Sequence, residues 1–231
     1  MNRKEELQAG LERTRAQIED FARAAGREAP QLLPVTKFHP AGDVALLAEL
    51  GVTDVAENRE QEARAKAAEL PAVRFHMIGQ IQTKKANHVA RWAHSVHSLD
   101  SAKLATALDR GVANAQESGD RDAPLPVFIQ VSADGDTARG GVALPDVPSL
   151  VELVEELVNL ELQGFMVVPP LDSDAAEVFG RVRTLTDDVA WRLGRPLKMS
   201  AGMSADLGEA IAAGTDIVRV GTGIMGPRPV G

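Results

Sequence analysis

The chain of 231 residues contains no cysteine and no tyrosine, and only 3% of its residues are aromatic. The absence of cysteine excludes a disulfide framework, a thiolate nucleophile and a Cys-based zinc or iron–sulfur site. The absence of tyrosine excludes any reaction that needs a phenolic acid or base from this chain. The few aromatic side chains leave no basis for stacking nucleobases.

A net positive charge and a long apolar run are also lacking. The formal net charge is −8, which argues against nucleic acid or an anionic membrane as a partner but leaves room for a local phosphate pocket. The chain starts as Met1-Asn-Arg-Lys-Glu-Glu6, which is not an apolar leader, and no apolar stretch approaches membrane-spanning length. We therefore expect a cytoplasmic protein with no nucleic-acid and no membrane partner.

Strand and helix patterns alternate along the whole chain. A helical spacing of apolar residues over 3–26 precedes the first strand, and each later strand is followed by a helical segment. The eight predicted strands cover residues 32–37, 53–56, 73–78, 95–99, 127–132, 162–168, 196–200 and 217–220. This pattern predicts an α/β fold, a single (β/α)8 TIM barrel over residues 1–231 with an extra N-terminal helix. An open doubly wound sheet is the alternative.

The first predicted strand ends in a lysine, in the segment Gln31-Leu-Leu-Pro-Val-Thr-Lys37. Leu33, Val35 and Lys37 share one strand face, so the face that packs inward ends in an amine. Such a lysine is either solvated at the rim or held with a lowered pKa for a role that needs a neutral amine, such as imine formation with a carbonyl.

The segments after the seventh and eighth strands are rich in glycine and hydroxyl groups. Ser200-Ala-Gly-Met-Ser204 supplies two hydroxyls and a helix start, and Gly221-Thr-Gly223 supplies a backbone that an anion can approach closely. Barrels commonly bind phosphate at these two positions. Arg219 lies within the eighth strand, where it either forms a structural ion pair or directs a permanent charge at a ligand.

Several familiar motifs fail in their context. Gly221 to Gly226 spells G-x-G-x-x-G, but only five residues follow it, too few for a dinucleotide-binding unit. The serine at 204 lacks the closing glycine of a nucleophile elbow. A calcium loop starting at Asp134 would have Pro145 where a bidentate glutamate is required. The remaining candidates, His76, His94 and His97, show no recognised metal spacing and are interpreted as core or surface histidines.

Taken together, short motifs in order along nearly the whole chain resemble the pyridoxal 5′-phosphate homeostasis protein family. They are Val35-Thr-Lys37, Ala56-Glu-Asn58, Phe75-His-Met-Ile-Gly-Gln-Ile-Gln82, Val127-Phe-Ile-Gln-Val131, Gln163-Gly-Phe-Met166, Ser200-Ala-Gly-Met-Ser204-Ala-Asp206 and Val218-Arg-Val-Gly-Thr222. Departures from the family pattern are Ala56 in place of glycine, Lys84 in place of asparagine and Met225 in place of phenylalanine.

The resemblance implies a barrel similar to the N-terminal domain of bacterial alanine racemase. It further implies pyridoxal 5′-phosphate as an imine on Lys37, Arg219 against the pyridine nitrogen and Asn58 beside the ring. The residues that it implies around the phosphate are Ser200, Ser204, Gly221 and Thr222.

The resemblance leaves three functions open. An arginine facing the pyridine nitrogen disfavours the protonated ring that serves as an electron sink. Alanine racemase also uses a tyrosine and a second domain, both missing here, so we expect a monomeric, non-catalytic protein that binds pyridoxal phosphate in intracellular homeostasis, with pyridoxal-phosphate-dependent enzymes as recipients. The alternatives are an amino-acid racemase of weak activity and an aldolase whose lysine attacks a phosphorylated sugar.

Overall fold

The computed structural model describes residues 2–228 and contains a parallel sheet that curls into a barrel. The strands are β1 (Gln31–Pro34), β2 (Asp54–Glu57), β3 (Arg74–Met77), β4 (Ser95–Leu99), β5 (Leu125–Ser132), β6 (Val142–Ala143), β7 (Leu160–Val167), β8 (Lys198–Ser200) and β9 (Ile217–Val220). Neighbouring strands follow the order β1-β9-β8-β7-β5-β4-β3-β2, with β6 paired to β5 outside this path. A parallel bridge between Val35 and Ala56 joins the two ends of the path. The predicted barrel of eight parallel strands is therefore confirmed, and β6 is an addition that the sequence did not predict.

Helices follow the barrel strands on the outside. They are α1 (Arg3–Ala24), α2 (Ala41–Glu49), α3 (Glu60–Glu69), α4 (Ala86–Trp92), α5 (Ala102–Glu117), α6 (Val147–Glu156), α7 (Ala175–Leu193), α8 (Leu207–Ala212) and α9 (Thr222–Met225). Within residues 2–228, none of the helices combines the length and the apolar character needed to cross a bilayer.

The extra N-terminal helix α1 starts at a capping box. Asn2 Oδ1 accepts a hydrogen bond from Glu5 N at 3.0 Å, and Glu5 Oε2 accepts one from Asn2 N at 2.9 Å. The buried face of α1 packs against α9 so closely that a Cβ on Gly10 would lie 2.5 Å from Ile224 O. Arg3 also donates to Met225 O at 2.9 Å. The first helix therefore holds α9 in place at the end of β9.

The barrel interior contains a small apolar cluster and a set of polar side chains. Leu33, Val35, Phe128, Met166 and Ile217 belong to this cluster. Four of them lie in β1, β5, β7 and β9, and Val35 directly follows β1, as expected for the inward-facing positions of a closed barrel. The larger apolar cores lie between the sheet and the surrounding helices.

Strand β1 is shorter than predicted. Regular pairing ends at Pro34, Val35 forms the single bridge, and residues 37–39 form a turn in which His39 N donates to Thr36 O at 3.1 Å. Phe38 has a φ of +70°, a value that aromatic residues rarely adopt. Lys37 therefore lies in the turn after β1, three residues beyond Pro34, and not within the strand as predicted.

Candidate functional site

The predicted site residues come from four adjacent strands, in the order β2, β1, β9 and β8. The parallel strands place their C-terminal ends at one mouth of the barrel, where the functional residues of such barrels lie. Lys37 follows β1 and Asn58 follows β2, whereas Arg219 lies within β9 and Ser200 ends β8. The remaining three, Ser204, Gly221 and Thr222, follow β8 and β9.

Lys37 presents a half-buried amine that has no hydrogen-bond or ion-pair partner among residues 2–228. Burial lowers the pKa of Lys37 below its usual range, and the nearby positive charge of Arg228 lowers it further. The Arg228 guanidinium lies 4.3 Å from the centre of the Phe38 ring and that of Arg59 lies 5.1 Å from it. Partial burial and the charge of Arg228 favour the neutral, nucleophilic form of the Lys37 amine.

A buried polar cluster behind the turn fixes the backbone that carries Lys37. Lys66 Nζ lies 2.6 Å from Glu57 Oε1 and 2.7 Å from Glu62 Oε1, and it donates to Thr36 O at 3.0 Å. Thr36 Oγ1 also donates to Glu57 Oε1 at 2.6 Å, and Phe38 N donates to Glu62 Oε1 at 2.8 Å. Both residues that flank Lys37 are thus held by side chains from β2 and α3.

Glu57 is fully buried in this cluster. Burial raises the pKa of the Glu57 carboxyl, and the hydrogen bonds from Lys66 and Thr36 oppose this rise only in part. Sequence reasoning missed the role of Glu57 and Lys66. The only signal was the Glu62 and Lys66 pair at i, i+4 on α3, a spacing that is common on solvated helix faces.

Arg219 is buried and its side chain points into the barrel. Its Nη1 donates to Ser200 Oγ at 2.9 Å and its Nη2 donates to Val167 O at 3.1 Å. No carboxylate in the described part of the chain pairs with it, and burial lowers the pKa of the guanidinium to about 10. Because its hydrogen-bond partners are neutral, the charge of the Arg219 guanidinium is not paired within the site and can interact with a ligand atom at the mouth.

Ser200 is fully buried between Arg219 and His97. Its Oγ lies 2.9 Å from His97 Nδ1 as well as 2.9 Å from Arg219 Nη1. The Ser200 hydroxyl, predicted to lie around a phosphate, is therefore engaged inside the barrel. Sequence reasoning had interpreted His97 as a core or surface histidine, and the structure places it in the barrel interior beside this hydroxyl.

The other two predicted hydroxyls are exposed at the mouth. Neither Ser204 Oγ nor Thr222 Oγ1 has a hydrogen-bond partner within residues 2–228. A Cβ added to Gly223 would lie 3.6 Å from Ser204 Oγ, so the loops after β8 and β9 lie side by side. A Cβ added to Gly221 would lie 3.4 Å from Val35 O, so the loop after β9 also lies against the end of β1. Two free hydroxyls and a glycine-containing backbone are suitable donors for an anion.

Asn58 lines a cavity of about 320 Å³ at the same mouth. Gln80, Gln130 and Met166 are also part of its wall. The cavity depends on Gly79, because a Cβ there would lie only 1.9 Å from Asn58 O. The mouth therefore has an amine with a lowered pKa, a cation and unpaired hydroxyls, and the cavity beside Asn58 opens at the same end of the barrel. Groups of these kinds suit a small phosphorylated carbonyl compound.

The fold and the site define an alanine-racemase-type barrel. Residues 10–229 match the family described as alanine racemase, N-terminal domain. Alanine racemase from Streptomyces coelicolor has the same fold with a TM-score of 0.74 and 17% identity, covering 96% of this chain and 58% of that one.

Two relatives are more similar in sequence, and both are described as pyridoxal phosphate homeostasis proteins. The protein of Corynebacterium glutamicum is 54% identical over 201 residues, which cover 87% of this chain and 91% of the relative. The protein of Mycobacterium tuberculosis is 45% identical over 244 residues, which cover 98% of this chain and 95% of the relative. The chain belongs to the pyridoxal phosphate homeostasis protein family. A solved relative with pyridoxal phosphate bound, PipY of Synechococcus elongatus, has a TM-score of 0.80 and 30% identity, covering 95% of this chain and 99% of that one.

Proposed function

We propose that this protein binds pyridoxal 5′-phosphate reversibly as a Schiff base on Lys37 and serves as an intracellular reservoir of the cofactor without catalytic turnover. The observation that carries the proposal is the unpaired, half-buried Lys37 amine at the same barrel mouth as Arg219, a buried cation without a carboxylate partner. The bound cofactor of PipY and the descriptions of the relatives support the same ligand.

The chain's residues fit the three parts of the cofactor. The Lys37 amine meets the requirement for a nucleophile towards an aldehyde, because its pKa is lowered. The guanidinium of Arg219 suits an unprotonated ring nitrogen, which can only accept a hydrogen bond. The unpaired hydroxyls of Ser204 and Thr222, with the backbone at Gly221, are suited to a phosphate. Asn58 would lie beside the ring.

Pyridoxal phosphate, when bound, can stabilise a carbanion at the α-carbon of an amino acid, and it does so more strongly when its pyridine nitrogen is protonated. Arg219 disfavours that proton because a guanidinium only donates hydrogen bonds. The sequence has no tyrosine to move a proton on the other face of a substrate. These two features favour storage and delivery to recipient enzymes over racemisation.

The proposal is tested by the visible absorption spectrum of the purified protein with added pyridoxal phosphate, before and after borohydride reduction. Lys37→Ala is the test variant, and Lys84→Ala removes a second, exposed lysine near the mouth as the matched control. We expect wild type and Lys84→Ala to bind the cofactor and to carry the reduced adduct on the Lys37 peptide. Lys37→Ala should lack the adduct. A wild type that binds no pyridoxal phosphate would overturn the proposal.

Turnover and delivery require separate assays on the loaded protein. We expect no racemisation of free amino acids above that of Lys37→Ala, and we expect reactivation of an apo form of a pyridoxal-phosphate-dependent enzyme. Racemisation that depends on Lys37 would favour the alternative, a racemase of weak activity.

A further inference from the structure

A continuous chain of hydrogen bonds crosses the barrel interior from Arg219 to the opposite mouth. Its five links are Arg219 Nη1 to Ser200 Oγ at 2.9 Å, Ser200 Oγ to His97 Nδ1 at 2.9 Å, His97 Nε2 to Ser95 Oγ at 3.0 Å, Ser95 Oγ to His76 Nδ1 at 2.6 Å and His76 Nε2 to Asp54 Oδ1 at 2.8 Å. All six residues are buried. A guanidinium and a carboxylate are thus connected through two serines and two histidines, although they form no direct ion pair.

With one proton on each histidine ring, the two end groups determine the direction of every link. Arg219 can only donate hydrogen bonds, and an ionised Asp54 can only accept them. Burial alone would raise the pKa of Asp54, but hydrogen bonds from His76, Arg74 and Thr53 hold it well below its usual range. Asp54 is therefore ionised at neutral pH, and where each histidine ring carries a single proton, every intermediate group donates towards it.

This direction assigns one tautomer to both histidines. Ser200 donates to His97 Nδ1, so His97 carries its proton on Nε2 and donates to Ser95. Ser95 in turn donates to His76 Nδ1, so His76 also carries its proton on Nε2. Burial holds the pKa of His97 well below its usual range, and the charge of Arg219 acts in the same direction. A neutral His97 is what the chain of donors requires.

At the Asp54 end of this series of hydrogen bonds, the polar atoms of Asp54 and His76 all have hydrogen-bond partners. Arg74 donates to Asp54 Oδ1 at 2.9 Å and to Asp54 Oδ2 at 2.6 Å. His94 lies close enough for its ring, His76 and Asp54 to present three ligand atoms within 4.8 Å of one another. Both oxygens of Asp54 and both nitrogens of His76 are already used, however, so we interpret this group as the terminus of the chain of hydrogen bonds.

We propose that Ser200, His97, Ser95 and His76, here called the relay, position Arg219 for its ligand. Successive hydrogen bonds in a buried site polarise one another, so the relay extends the influence of the Asp54 carboxylate to the guanidinium and fixes its orientation. The relay assigns Ser200 to the support of Arg219 rather than to direct contact with a phosphate. For the ligand, the inference rests on the proposed binding of pyridoxal phosphate.

The tautomers provide a test that needs no cofactor. Long-range proton–nitrogen NMR spectra of the histidine-labelled protein near neutral pH distinguish protonated from unprotonated ring nitrogens. From the hydrogen bonds of the relay, we expect the proton on Nε2 and none on Nδ1 in both rings. A proton on Nδ1 of either ring, or a doubly protonated His97, would overturn the relay.

Two serines of β4 provide a matched pair for the second test. Ser95→Ala removes the central link of the relay, whereas Ser98→Ala removes a buried hydroxyl that has no hydrogen-bond partner in the described chain. We expect Ser95→Ala to weaken the binding of pyridoxal phosphate roughly fivefold to tenfold, the factor typical of one lost hydrogen bond, and to shift the absorption maximum of the bound cofactor. Ser98→Ala should change the affinity less than about twofold.

Ser95→Thr keeps the hydroxyl and should restore both the affinity and the spectrum. Equal behaviour of Ser95→Ala and Ser98→Ala would contradict the proposal, and the NMR test on the wild type decides the relay even where Ser95→Ala does not fold. If the wild type bound no pyridoxal phosphate, the proposed function would fail, while the tautomers would still confirm or refute the relay.

Discussion

Lys66 Nζ lies 2.6 Å from Glu57 Oε1, and both side chains are buried directly behind the turn that carries Lys37. This ion pair joins α3 to the end of β2, and Thr36 connects it to the end of β1. Removing one partner of such a buried pair destabilises the fold much more than the intact pair stabilises it, because the other partner remains as an unpaired buried charge.

Lys66→Met should therefore lower the free energy of unfolding by about 3–5 kcal/mol at neutral pH. Glu57 has a raised pKa in the folded protein, so its ionised form opposes folding at high pH. The loss should accordingly grow as the pH rises through that pKa and shrink in acid. Urea unfolding at several pH values measures this, and the double variant Glu57→Gln, Lys66→Met should recover much of the stability. A loss that does not depend on pH would contradict the assignment of Glu57.

Arg228→Gln should move the pH dependence of adduct formation at Lys37. The folded pKa of Lys37 lies below 10.5, first because of burial and second because of Arg228. Removal of the Arg228 charge should shift the midpoint of the borohydride-trapped rate upwards, although it should stay below 10.5 because burial persists. Arg110→Gln removes the same charge at an exposed position on α5 and should leave the midpoint unchanged. An unchanged midpoint in Arg228→Gln would show that Arg228 does not act on the amine.

Gly79→Ala should distort the cavity beside Asn58. The added Cβ meets a backbone oxygen at 1.9 Å, so the loops have to move apart, at a cost of about 1–3 kcal/mol in stability. The binding of pyridoxal phosphate should weaken as well, which equilibrium titration measures. Gly42→Ala on α2 is the control, because its Cβ meets nothing within 4 Å and should stabilise the protein by about 0.4–1 kcal/mol. If Gly79→Ala bound pyridoxal phosphate with full affinity, this cavity would not be part of the binding site.

Asp54→Asn should reduce the stability by about 2–3 kcal/mol near neutral pH, since the hydrogen bonds from Arg74 and His76 lose their charged acceptor. The folded pKa of Asp54 is depressed, so its contribution is present above the unfolded pKa of about 3.9 and is lost as the pH falls below it. Unfolding curves of wild type and variant should therefore converge in acid. Asp188→Asn, at an exposed position on α7 without a hydrogen-bond partner in the described chain, should show no such difference.

The architecture and the location of the mouth could be predicted because they follow from local patterns. The alternation of strand and helix gave the barrel, and the order of parallel strands then placed Lys37, Asn58 and the two glycine-containing loops at one end. The turn at Phe38 could not be predicted, because nothing in an aromatic side chain indicates a φ of +70°.

The polar contacts inside the barrel have no local signature. Ser200 and His97 are 103 positions apart in the sequence, and their hydrogen bond depends on the register of strands between them. A serine at the end of a strand beside a glycine-containing loop also fits a phosphate site, and that role of Ser200 stays a prediction. The register decides which face of β8 carries the hydroxyl.

The contact of α1 with α9 has a consequence for biosynthesis. Residues 3–24 leave the ribosome long before residues 222–225, so the face of α1 that receives Ile224 stays uncovered while most of the barrel is being made. Strand β1 likewise stays unpaired on one side until β9 has been made, because the two strands pair through four residue pairs. Nascent chains shorter than about 225 residues thus contain Lys37 but lack its complete surroundings. The ability to retain a ligand at this mouth should consequently arise only after β9 and α9 have been synthesised, in one step with their docking.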